Sequence, residues 1–420
     1  MNNPDVLAPA VDDAAPDVVV MGAGPSGAIA AALLVQKGHR VLVLEKEEFP
    51  RFSIGESLLP QCMEFIEQAG MLEAVQKGDF QFKNGAAFLR GDEYSTFDFR
   101  QKSTPGWGTT FQVQRAKFDK ILADEAARFG ADVRFRHEVT AVDVSGERPR
   151  VDYRDAEGAM HTVQPKFLLD ASGFGRILPR LLDLHVPSTF PVRQALFTHV
   201  EDNITADWFD REKILITVHE AHPDVWYWLI PFANGSASVG VVAEKEFIER
   251  FSGSDEEKLF AILGEEAPLR DLLARAKPLF PVRAITGYSA GVKTLCGPGF
   301  ALLGNAGEFL DPVFSSGVTV AMKSATLAAD VLDRQLRGET VDWNTEFAQP
   351  LQRGVDAFRT FVTTWYDQRF QTVIFHKEQL EQVKKWITSI LAGYAWDQEN
   401  PFVRDGMRRI EVLADICSTD

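Results

Sequence analysis

The sequence has little cysteine, no long apolar run and no excess of positive charge. Its three cysteines, Cys62, Cys296 and Cys417, are widely separated and match no metal-binding or redox spacing, which favours a reducing cytoplasm and predicts no metal site. No apolar run approaches the roughly 18 residues of a membrane-spanning helix, so no membrane association is expected. The net charge of −16 argues against nucleic acid as a partner.

Internal repeats and low-complexity tracts are also missing. With 420 residues the chain is too long for one small hydrophobic core, so two closely packed domains are predicted. Residues 1–15 are polar and rich in Pro, Ala and Asp, without the basic and apolar segments of a targeting signal. We predict a disordered leader there.

The most informative stretch lies near the start of the chain. Asp17 to Met21 is an apolar run typical of a buried strand; an Ala/Leu-rich helix and a second strand, Arg40 to Leu44, follow. The first strand runs directly into Gly22-Ala23-Gly24-Pro25-Ser26-Gly27, a G-x-G-x-x-G fingerprint, and Glu45 ends the second strand. This β-turn-α-β pattern, with an acid about 20 residues on, predicts a dinucleotide site.

Each residue type in the fingerprint has a physical reason. Gly22 allows the tight turn, Gly24 lets the backbone approach a pyrophosphate, and Gly27 lets the helix pack close to the strand. The free amides at the helix start then face the phosphates, and Glu45 is placed to accept hydrogen bonds from a ribose. Glu rather than Asp at this position favours FAD. The predicted contacts are Gly22, Gly24, Pro25, Ser26, Gly27, Glu45 and Lys46.

A charged loop and a lone lysine follow the fingerprint. Arg51 lies in a loop interrupted by Pro and Gly, where it either supplies a cation for phosphate or flavin or is a solvated surface residue. Ser57 is a candidate N-cap for an amphipathic helix that runs to about Ala69. Lys83 stands between aromatic residues before a strand of small residues, although a lone lysine is usually solvated.

Later segments divide between two kinds of structure. Phe167 to Gly173 is a buried strand that ends in a turn of small residues, which in a nucleotide-binding fold passes close to the cofactor. Residues 190–244 show the regular spacing of a mainly antiparallel sheet, the expected wall of a substrate pocket. A helix from about Val318 to Leu336 follows Ser315-Ser316-Gly317, and its free amides make an anion-friendly site. The chain from Asp342 onward is predicted to be largely helical, and the aromatic residues from Phe358 to Phe370 indicate a packed helix face.

The layout resembles that of the FAD-binding monooxygenases of the p-hydroxybenzoate-hydroxylase type, and within them it is most similar to the flavin-dependent halogenases. Three cofactor segments appear in order: Gly22 to Gly27, Asp170-Ala171-Ser172-Gly173 and Gly304-Asn305-Ala306. Trp226-Tyr227-Trp228-Leu229-Ile230-Pro231 fits W-x-W-x-I-P, and Phe309 to Gly317 fits F-x-x-P-x-x-S-x-G. Lys83, in a Phe-x-Lys-x-Gly-Ala-x-Phe context, resembles the essential lysine of that family.

The resemblance implies an α/β fold. It consists of a Rossmann-type FAD-binding domain of the GR2 flavoprotein type, an inserted and mainly antiparallel β-sheet domain for the substrate, and a helical C-terminal region. The predicted boundaries are residues 16–85, 110–190 and 280–340 for the discontinuous FAD-binding domain, 86–109 and 190–280 for the substrate domain, and 341–420 for the C-terminal region.

The resemblance also implies a mechanism. Reduced FAD, supplied by a separate flavin reductase, reacts with O2 to give a hydroperoxide, and bound chloride or bromide then yields hypohalous acid. Lys83 directs this oxidant onto an electron-rich phenol, pyrrole or indole, free or bound to a carrier protein. A lysine suits this role because burial in an apolar tunnel lowers its pKa. No second G-x-G-x-x-G is present, so the sequence offers no nicotinamide-binding domain of its own.

Site residues follow from the matched motifs. Further contacts to FAD are implied for Arg51, Ser57, Arg115, Asp170, Ala171, Gly304, Asn305, Gly317 and Val318. The halide is implied to bind at Ser315, Ser316 and Gly317. Trp226, Trp228 and Pro312 form the implied wall that keeps substrate away from the flavin.

Two positions depart from the family pattern. Asn305 stands where the family usually has Asp, and it retains the ability to hydrogen-bond the flavin. Glu308 follows Gly307 in place of a more apolar pair, and its negative charge is expected to disfavour a nearby halide. The alternatives are an FAD-dependent hydroxylase or dehydrogenase of the same fold, and a flavin-binding protein without chemistry of its own.

Overall fold

The computed structural model describes residues 15–188, 190–378 and 380–418. The predicted leader at residues 1–15 lies outside the described residues, apart from residue 15.

Twenty-one strands are present in the described residues, numbered here in chain order. They are β1 Val18–Met21, β2 Val41–Glu45, β3 Gln81–Lys83, β4 Gly85–Arg90, β5 Glu93–Asp98, β6 Thr110–Gln112, β7 Asp132–Phe135, β8 Glu138–Asp143, β9 Arg150–Arg154, β10 Met160–Val163, β11 Phe167–Asp170, β12 His185–Pro187, β13 Arg193–Glu201, β14 Lys213–Val218, β15 Trp226–Pro231, β16 Ser236–Glu244, β17 Lys277–Pro278, β18 Arg283–Thr286, β19 Ala290–Val292, β20 Cys296–Gly297 and β21 Phe300–Leu302.

The α-helices of the described ranges are numbered in the same way. They are α1 Pro25–Gln36, α2 Gln61–Gln68, α3 Leu72–Gln76, α4 Arg115–Arg128, α5 Ile177–Leu181, α6 Lys245–Ile248, α7 Asp255–Leu263, α8 Ala267–Leu272, α9 Ser316–Leu336, α10 Gln349–Tyr366, α11 Arg369–Phe375, α12 Glu381–Leu391 and α13 Pro401–Cys417. Single 3₁₀ turns span Phe99–Gln101, Gly173–Gly175, Gly304–Ala306 and Pro312–Phe314, and a π-helical turn spans Asn344–Ala348.

A six-stranded sheet in the order β20-β21-β11-β1-β2-β7 carries the fingerprint. β1, β2, β7, β11 and β21 run parallel, and β20 is an antiparallel edge strand. The residues of β1 and β11 are fully buried, as expected for central strands of a parallel sheet that is covered on both faces. Helix α1 packs against α4 and α9 on one side of this sheet. The predicted β-turn-α-β unit is therefore confirmed, and its turn lies at the carboxyl end of β1, where α/β folds bind ligands.

A second, eight-stranded sheet follows the order β17-β13-β16-β15-β14-β4-β5, with β18 also paired to β13. The neighbouring pairs are antiparallel except for β14 and β4, which confirms the mainly antiparallel pattern that the sequence predicts. Side chains alternate between its two faces. Trp226 and Trp228 join the large core shared with the first sheet, whereas Tyr227 and Leu229 pack on the opposite face against α7 and α8.

The C-terminal region is helical, as predicted. Phe358, Phe361, Trp365 and Phe370 are completely buried in the main core, so this aromatic stretch is a packed helix face. How the chain divides into domains stays a prediction. The strands of the large sheet come from residues 85–98, 193–244 and 277–286.

The predicted N-cap at Ser57 is wrong. Helix α2 begins at Gln61, and Pro60 occupies the N-cap position. Ser57 instead forms an antiparallel bridge with Gln112, because the chain remains extended before the proline.

No helix in the described ranges is long and apolar enough to cross a membrane. Within these same residues, no cluster of three or more His, Cys, Asp or Glu side chains is arranged to hold a metal ion.

Candidate active site

The glycine turn is packed so tightly that two of its positions require glycine. Gly22 has φ +100°, and a Cβ atom there would lie 2.6 Å from the carbonyl oxygen of Ala171. A Cβ on Gly27 would lie 2.0 Å from the carbonyl oxygen of Gly22. At Gly24 the space is open, and the nearest atom to an added Cβ is Nη2 of Arg51, at 3.5 Å. The first and third glycines therefore build the turn, and the second leaves room for a ligand.

The open space at Gly24 predicts that Gly24→Ala folds normally but binds FAD more weakly. The added methyl group meets only an ordinary contact in the protein, so the apoprotein is expected to fold with an unchanged melting temperature. FAD affinity is expected to fall about tenfold or more, which is ~1.4 kcal/mol, because the methyl occupies the place where the backbone approaches the pyrophosphate. Flavin fluorescence titration measures this. Gly146→Ala, in a surface loop, is the matched control, and equal affinity of the two variants would contradict this role of Gly24.

Glu45 is tied to the glycine turn. Its Oε2 accepts a hydrogen bond from the amide of Ala23 at 2.9 Å, and its Oε1 accepts one from the amide of Glu47 at 2.9 Å. The side chain is buried at the end of β2 and lines the same cavity as Gly24 and Lys46. The carboxylate is thus held where a ribose would lie.

Two arginines line the cavity and share one buried carboxylate. Arg51 donates from Nη1 to Oδ2 of Asp119 at 3.1 Å, and Arg115 donates from Nε to Oδ1 at 2.7 Å and from Nη2 to Oδ2 at 2.9 Å. Arg115 also donates to the carbonyl of Ile54. Asp119 is completely buried one helical turn after Arg115. Arg51 is therefore not a solvated surface residue, and both cations are fixed beside the glycine turn.

The second and third cofactor segments form the opposite side of the turn. Asp170 is fully buried, and its carboxylate accepts hydrogen bonds from the amides of Ser172, at 3.0 Å, and Leu178, at 2.7 Å. Burial raises the pKa of this carboxyl group. Asp170 therefore holds the shape of the turn, whereas Ala171 faces the cavity. Gly304 packs against Ala321 of α9, where an added Cβ would lie 2.7 Å from the alanine Cβ.

The S-S-G turn opens helix α9. Ser315 adopts a left-handed conformation with φ +55°, and the helix begins at the buried Ser316. A Cβ on Gly317 would lie 3.3 Å from the ring of Phe309 and 3.8 Å from Oδ1 of Asn305, so the amide side chain of Asn305 stands beside this turn. The first amides of a 21-residue helix are an intrinsic anion-binding feature.

Glu308, which we expected to disfavour a nearby halide, is paired with other side chains of the protein. Its carboxylate forms an ion pair with Arg359 of α10 and accepts a weak hydrogen bond from Gln352 at 3.4 Å. The negative charge of Glu308 is therefore compensated within the protein.

The tryptophans of β15 stand side by side in the cavity wall. Their ring centroids are 6.0 Å apart, and both residues are buried. The indole of Trp226 donates to the hydroxyl of Tyr366 at 2.9 Å, and that of Trp228 donates to Ser238 Oγ at 3.0 Å. Gly240 lies opposite Trp228 on β16, where a Cβ would come within 2.3 Å of the indole, so the missing side chain provides the space for the ring.

The Tyr366 hydroxyl continues this contact into a buried polar network. It donates to Oδ2 of Asp311 at 2.9 Å, and Tyr288 contacts the same oxygen at 3.4 Å. Burial raises the pKa of Asp311. The network connects the tryptophan wall to Pro312 and thus to the S-S-G turn, and it fixes the position of both.

Lys83 is completely buried, contrary to what is usual for a lone lysine. Its amine donates to Ser57 Oγ at 2.7 Å and to the carbonyl of Leu58 at 2.8 Å, and it lies 5.3 Å from the centroid of the Phe99 ring. In the described part of the chain it forms no ion pair with a carboxylate. Burial without a counter-ion lowers the pKa of Lys83 to about 7.

One cavity of about 400 Å³ collects most of the predicted residues. Those that line it are Gly22, Gly24, Pro25, Ser26, Glu45, Lys46, Arg51, Ser57, Arg115, Ala171, Trp226, Trp228, Asn305, Pro312, Ser315, Gly317 and Val318. Those that lie behind its wall are Gly27, Lys83, Asp170, Gly304 and Ser316. Lys83 is connected to the cavity through the hydroxyl of Ser57. An open space at Gly24, two fixed arginines and a carboxylate at the ribose position fit FAD.

Three further features of the site were not predicted from the sequence. Asp119 had a weak signal, since it lies four residues after Arg115 on a helix. Two hydrogen bonds join residues more than 100 positions apart, one between Glu56 and His199 and one between Trp226 and Tyr366. No local pattern indicates either contact.

Comparison with known proteins agrees with this site. The model of the FAD binding domain family matches residues 15–348. The tryptophan 2-halogenase of Chondromyces crocatus is 35% identical over 80% of this chain and 65% of its own length. The 1H-pyrrole-2-carbonyl-[peptidyl-carrier protein] chlorinase of Pseudomonas fluorescens is 28% identical over 94% of this chain and 92% of its own. The chain belongs to the FAD binding domain family, and its curated relatives include flavin-dependent halogenases.

FAD is accordingly the cofactor of this FAD binding domain family member, which is an FAD-dependent enzyme of the oxidoreductase type. Among solved structures, a flavoprotein/dehydrogenase from Cytophaga hutchinsonii has a TM-score of 0.93 and 42% identity, over 96% of this chain and 99% of that one. The FAD-binding fold is therefore shared over nearly the whole length. The chain spans just under two thirds of the tryptophan 2-halogenase but almost all of the pyrrole chlorinase.

Proposed function

We propose that this protein halogenates an electron-rich aromatic ring with reduced FAD, O2 and chloride or bromide. The observation that carries the proposal is the buried amine of Lys83. An unpaired lysine in the core is costly, and strongly perturbed ionisable groups are concentrated at functional sites. The amine is held by Ser57, a residue of the cavity that fits FAD, and so lies one side chain away from the flavin site.

Each group of site residues would have its own role in the proposed halogenation. FAD, when bound, supplies the reaction of O2 that oxidises the halide. Ser315, Ser316 and Gly317 would offer backbone amides to the halide at the start of α9. Trp226 and Trp228 would close the cavity between flavin and substrate. The Lys83 amine would take up the halogen as an N–X bond with loss of water and then transfer it to the ring, which returns the amine.

The substrate class is supported by the relatives. One acts on tryptophan and another on a pyrrole carried by a peptidyl-carrier protein, and both rings are electron-rich. We propose a phenol, pyrrole or indole of secondary metabolism, free or carrier-bound. A separate cytoplasmic flavin reductase is the proposed source of reduced FAD, since the sequence has a single G-x-G-x-x-G fingerprint.

The decisive experiment supplies the purified protein with FAD, NADH, a flavin reductase and either halide, together with a panel of phenols, indoles and pyrroles, free and on a carrier protein. We expect a halogen isotope pattern in a product's mass spectrum. Lys83→Ala should abolish this product while FAD binding and the oxidation of reduced flavin continue. Halogenation that survives in Lys83→Ala would disprove the assigned role of the lysine.

An FAD-dependent monooxygenase or dehydrogenase is the second candidate. The 42% identity to a protein described as a flavoprotein/dehydrogenase favours it. The same assay separates the two functions. A product that gains oxygen without halogen indicates a monooxygenase, and substrate oxidation that proceeds without O2 indicates a dehydrogenase. Neither reaction should depend on halide or on Lys83.

The two hydrogen bonds of Lys83 predict how halogenation depends on pH. A neutral amine has two N–H groups, which Ser57 and Leu58 accept, and it keeps a lone pair for the halogen. Because the pKa of Lys83 is about 7, the neutral fraction rises about tenfold from pH 6 to pH 8. The yield per turnover, measured with chemically reduced FAD, should rise in the same way. A yield that falls over this range would indicate that the ammonium form acts instead.

A further inference from the structure

A histidine and a glutamate form a buried pair in the wall of the FAD cavity. Nε2 of His199, on β13, and Oε1 of Glu56 share a hydrogen bond of 2.6 Å, although the residues are 143 positions apart. Their side chains are 9% and 4% exposed. Glu56 lines the cavity and directly precedes Ser57, which holds the amine of Lys83. The pair therefore lies beside both the flavin site and the lysine.

Three aromatic rings surround His199, and one of them lies at the protein surface. Its ring lies 5.6 Å from Phe52, 5.2 Å from Phe232 and 5.7 Å from Phe280, measured between centroids. Phe280 is 52% exposed, so a single aromatic ring separates the imidazole from the surface. Within the described residues, Nδ1 of His199 has no hydrogen-bonding partner.

Three charged groups approach the pair. Arg283 lies 4.0 Å above the ring of Phe52, and Nη1 of Arg115 contacts the carbonyl of Gly55 at 3.4 Å. The amine of Lys83 donates to the hydroxyl of Ser57, the residue that follows Glu56. Two of these groups are arginines, and the guanidinium of Arg115 is already paired with Asp119.

The proposed reaction consumes a proton inside this cavity. Reduced FAD, O2, one halide ion and one proton give oxidised FAD, one water and one hypohalous acid, in which the halide has lost two electrons to oxygen. We propose that Glu56 delivers this proton and that His199 replenishes it from solvent. This inference rests on the proposed function. Glu56 lines the cavity that fits FAD, whereas His199 acts through Glu56, and a carboxyl–imidazole pair in contact is suited to such a transfer.

The activity test uses Glu56→Gln and His199→Ala in the holoenzyme. Both are expected to lower the halogenation rate about 100-fold, a usual size for a positioned proton donor. Imidazole added to His199→Ala should restore part of the rate, which a purely structural role would not allow. His219→Ala is the control, because the buried His219 pairs with the exposed Glu265 on the far side of the sheet, and its loss should leave the rate unchanged. Equal rates in wild type and Glu56→Gln would overturn the proposal.

The second test does not depend on halogenation. In protein with ¹⁵N-labelled histidine, without FAD, the ring N–H of His199 should exchange with solvent, and Phe280→Ala should accelerate this exchange because it removes the ring between His199 and the surface. Exchange that Phe280→Ala does not accelerate would refute proton entry through His199 even if the enzyme is active. If wild type forms no halogenated product while Phe280→Ala accelerates the exchange of His199, the proposed function fails and proton entry through His199 stands.

Discussion

Replacing Lys83 with methionine is expected to make the protein more stable while it abolishes halogenation. The folded state holds this amine without a counter-ion, with a pKa of about 7 instead of 10.5. Between these two values the unfolded chain binds a proton that the folded chain does not, so the free energy of unfolding rises with pH across this window. Below pH 7 the cost of burial is fully present. Methionine fills a similar volume and carries no charge, so it avoids this cost.

Removing the cost of burying the amine contributes on the order of 4 kcal/mol at pH 7, because one unit of pKa corresponds to about 1.4 kcal/mol. Loss of the hydrogen bonds to Ser57 and Leu58 offsets about 2 kcal/mol of this gain. The gain should shrink as the pH approaches 10. Denaturant unfolding of wild type and Lys83→Met at pH 6, 7, 8.5 and 10 measures it. A constant difference across this range would show that the lysine is not the group that titrates.

Lys213→Met provides the matched control. Lys213 is also buried, but its amine donates to Oδ1 of Asn84 at 2.9 Å and to Oδ2 of Asp210 at 2.6 Å. Its loss breaks the ion pair with Asp210, which Lys83 has no counterpart for, as well as the hydrogen bond to Asn84, so this variant should be less stable than wild type. Opposite effects of the two substitutions would identify Lys83 as a residue kept for function at the expense of stability.

The parts of the site that were predictable are those that local sequence encodes. The glycine turn, its helix and Glu45 lie within 30 residues, and their spacing follows from one tight turn between two strands. The antiparallel sheet was equally predictable, because alternation and turn residues recur along β13 to β16. Trp226 and Trp228 share a face for the same reason.

The remainder depends on contacts between distant segments. Local sequence gives no indication that Lys83 is buried, and only the family resemblance implied it. Ser57 and Leu58 approach the amine only after the loop before α2 has paired with β6. Pro60 moved the start of α2 and left Ser57 extended, which local capping rules did not anticipate. Glu308 appeared as an uncompensated charge until α10 brought Arg359 beside it. Charge balance in a core is a tertiary property.

Asp119→Asn is expected to have the largest effect on FAD binding. Asp119 is the shared buried acceptor of Arg51 and Arg115, which face the cavity beside the glycine turn. Asn turns an N–H group towards one of the guanidinium groups and removes the charge that orders both. Breaking a buried ion pair costs roughly 3–5 kcal/mol, and if half of this appears in binding, FAD affinity falls about 30-fold.

Fluorescence titration with FAD and the melting temperature of the apoprotein separate binding from folding in this variant. Asp124→Asn is the control, because Asp124 pairs with Lys120 on the exposed face of the same helix and lies away from the cavity. An Asp119→Asn protein that melts earlier but binds FAD as wild type does would show that the two arginines stabilise the fold and leave the cofactor to other residues. Loss of affinity with little change in melting temperature would show that the buried carboxylate orders the arginines for FAD.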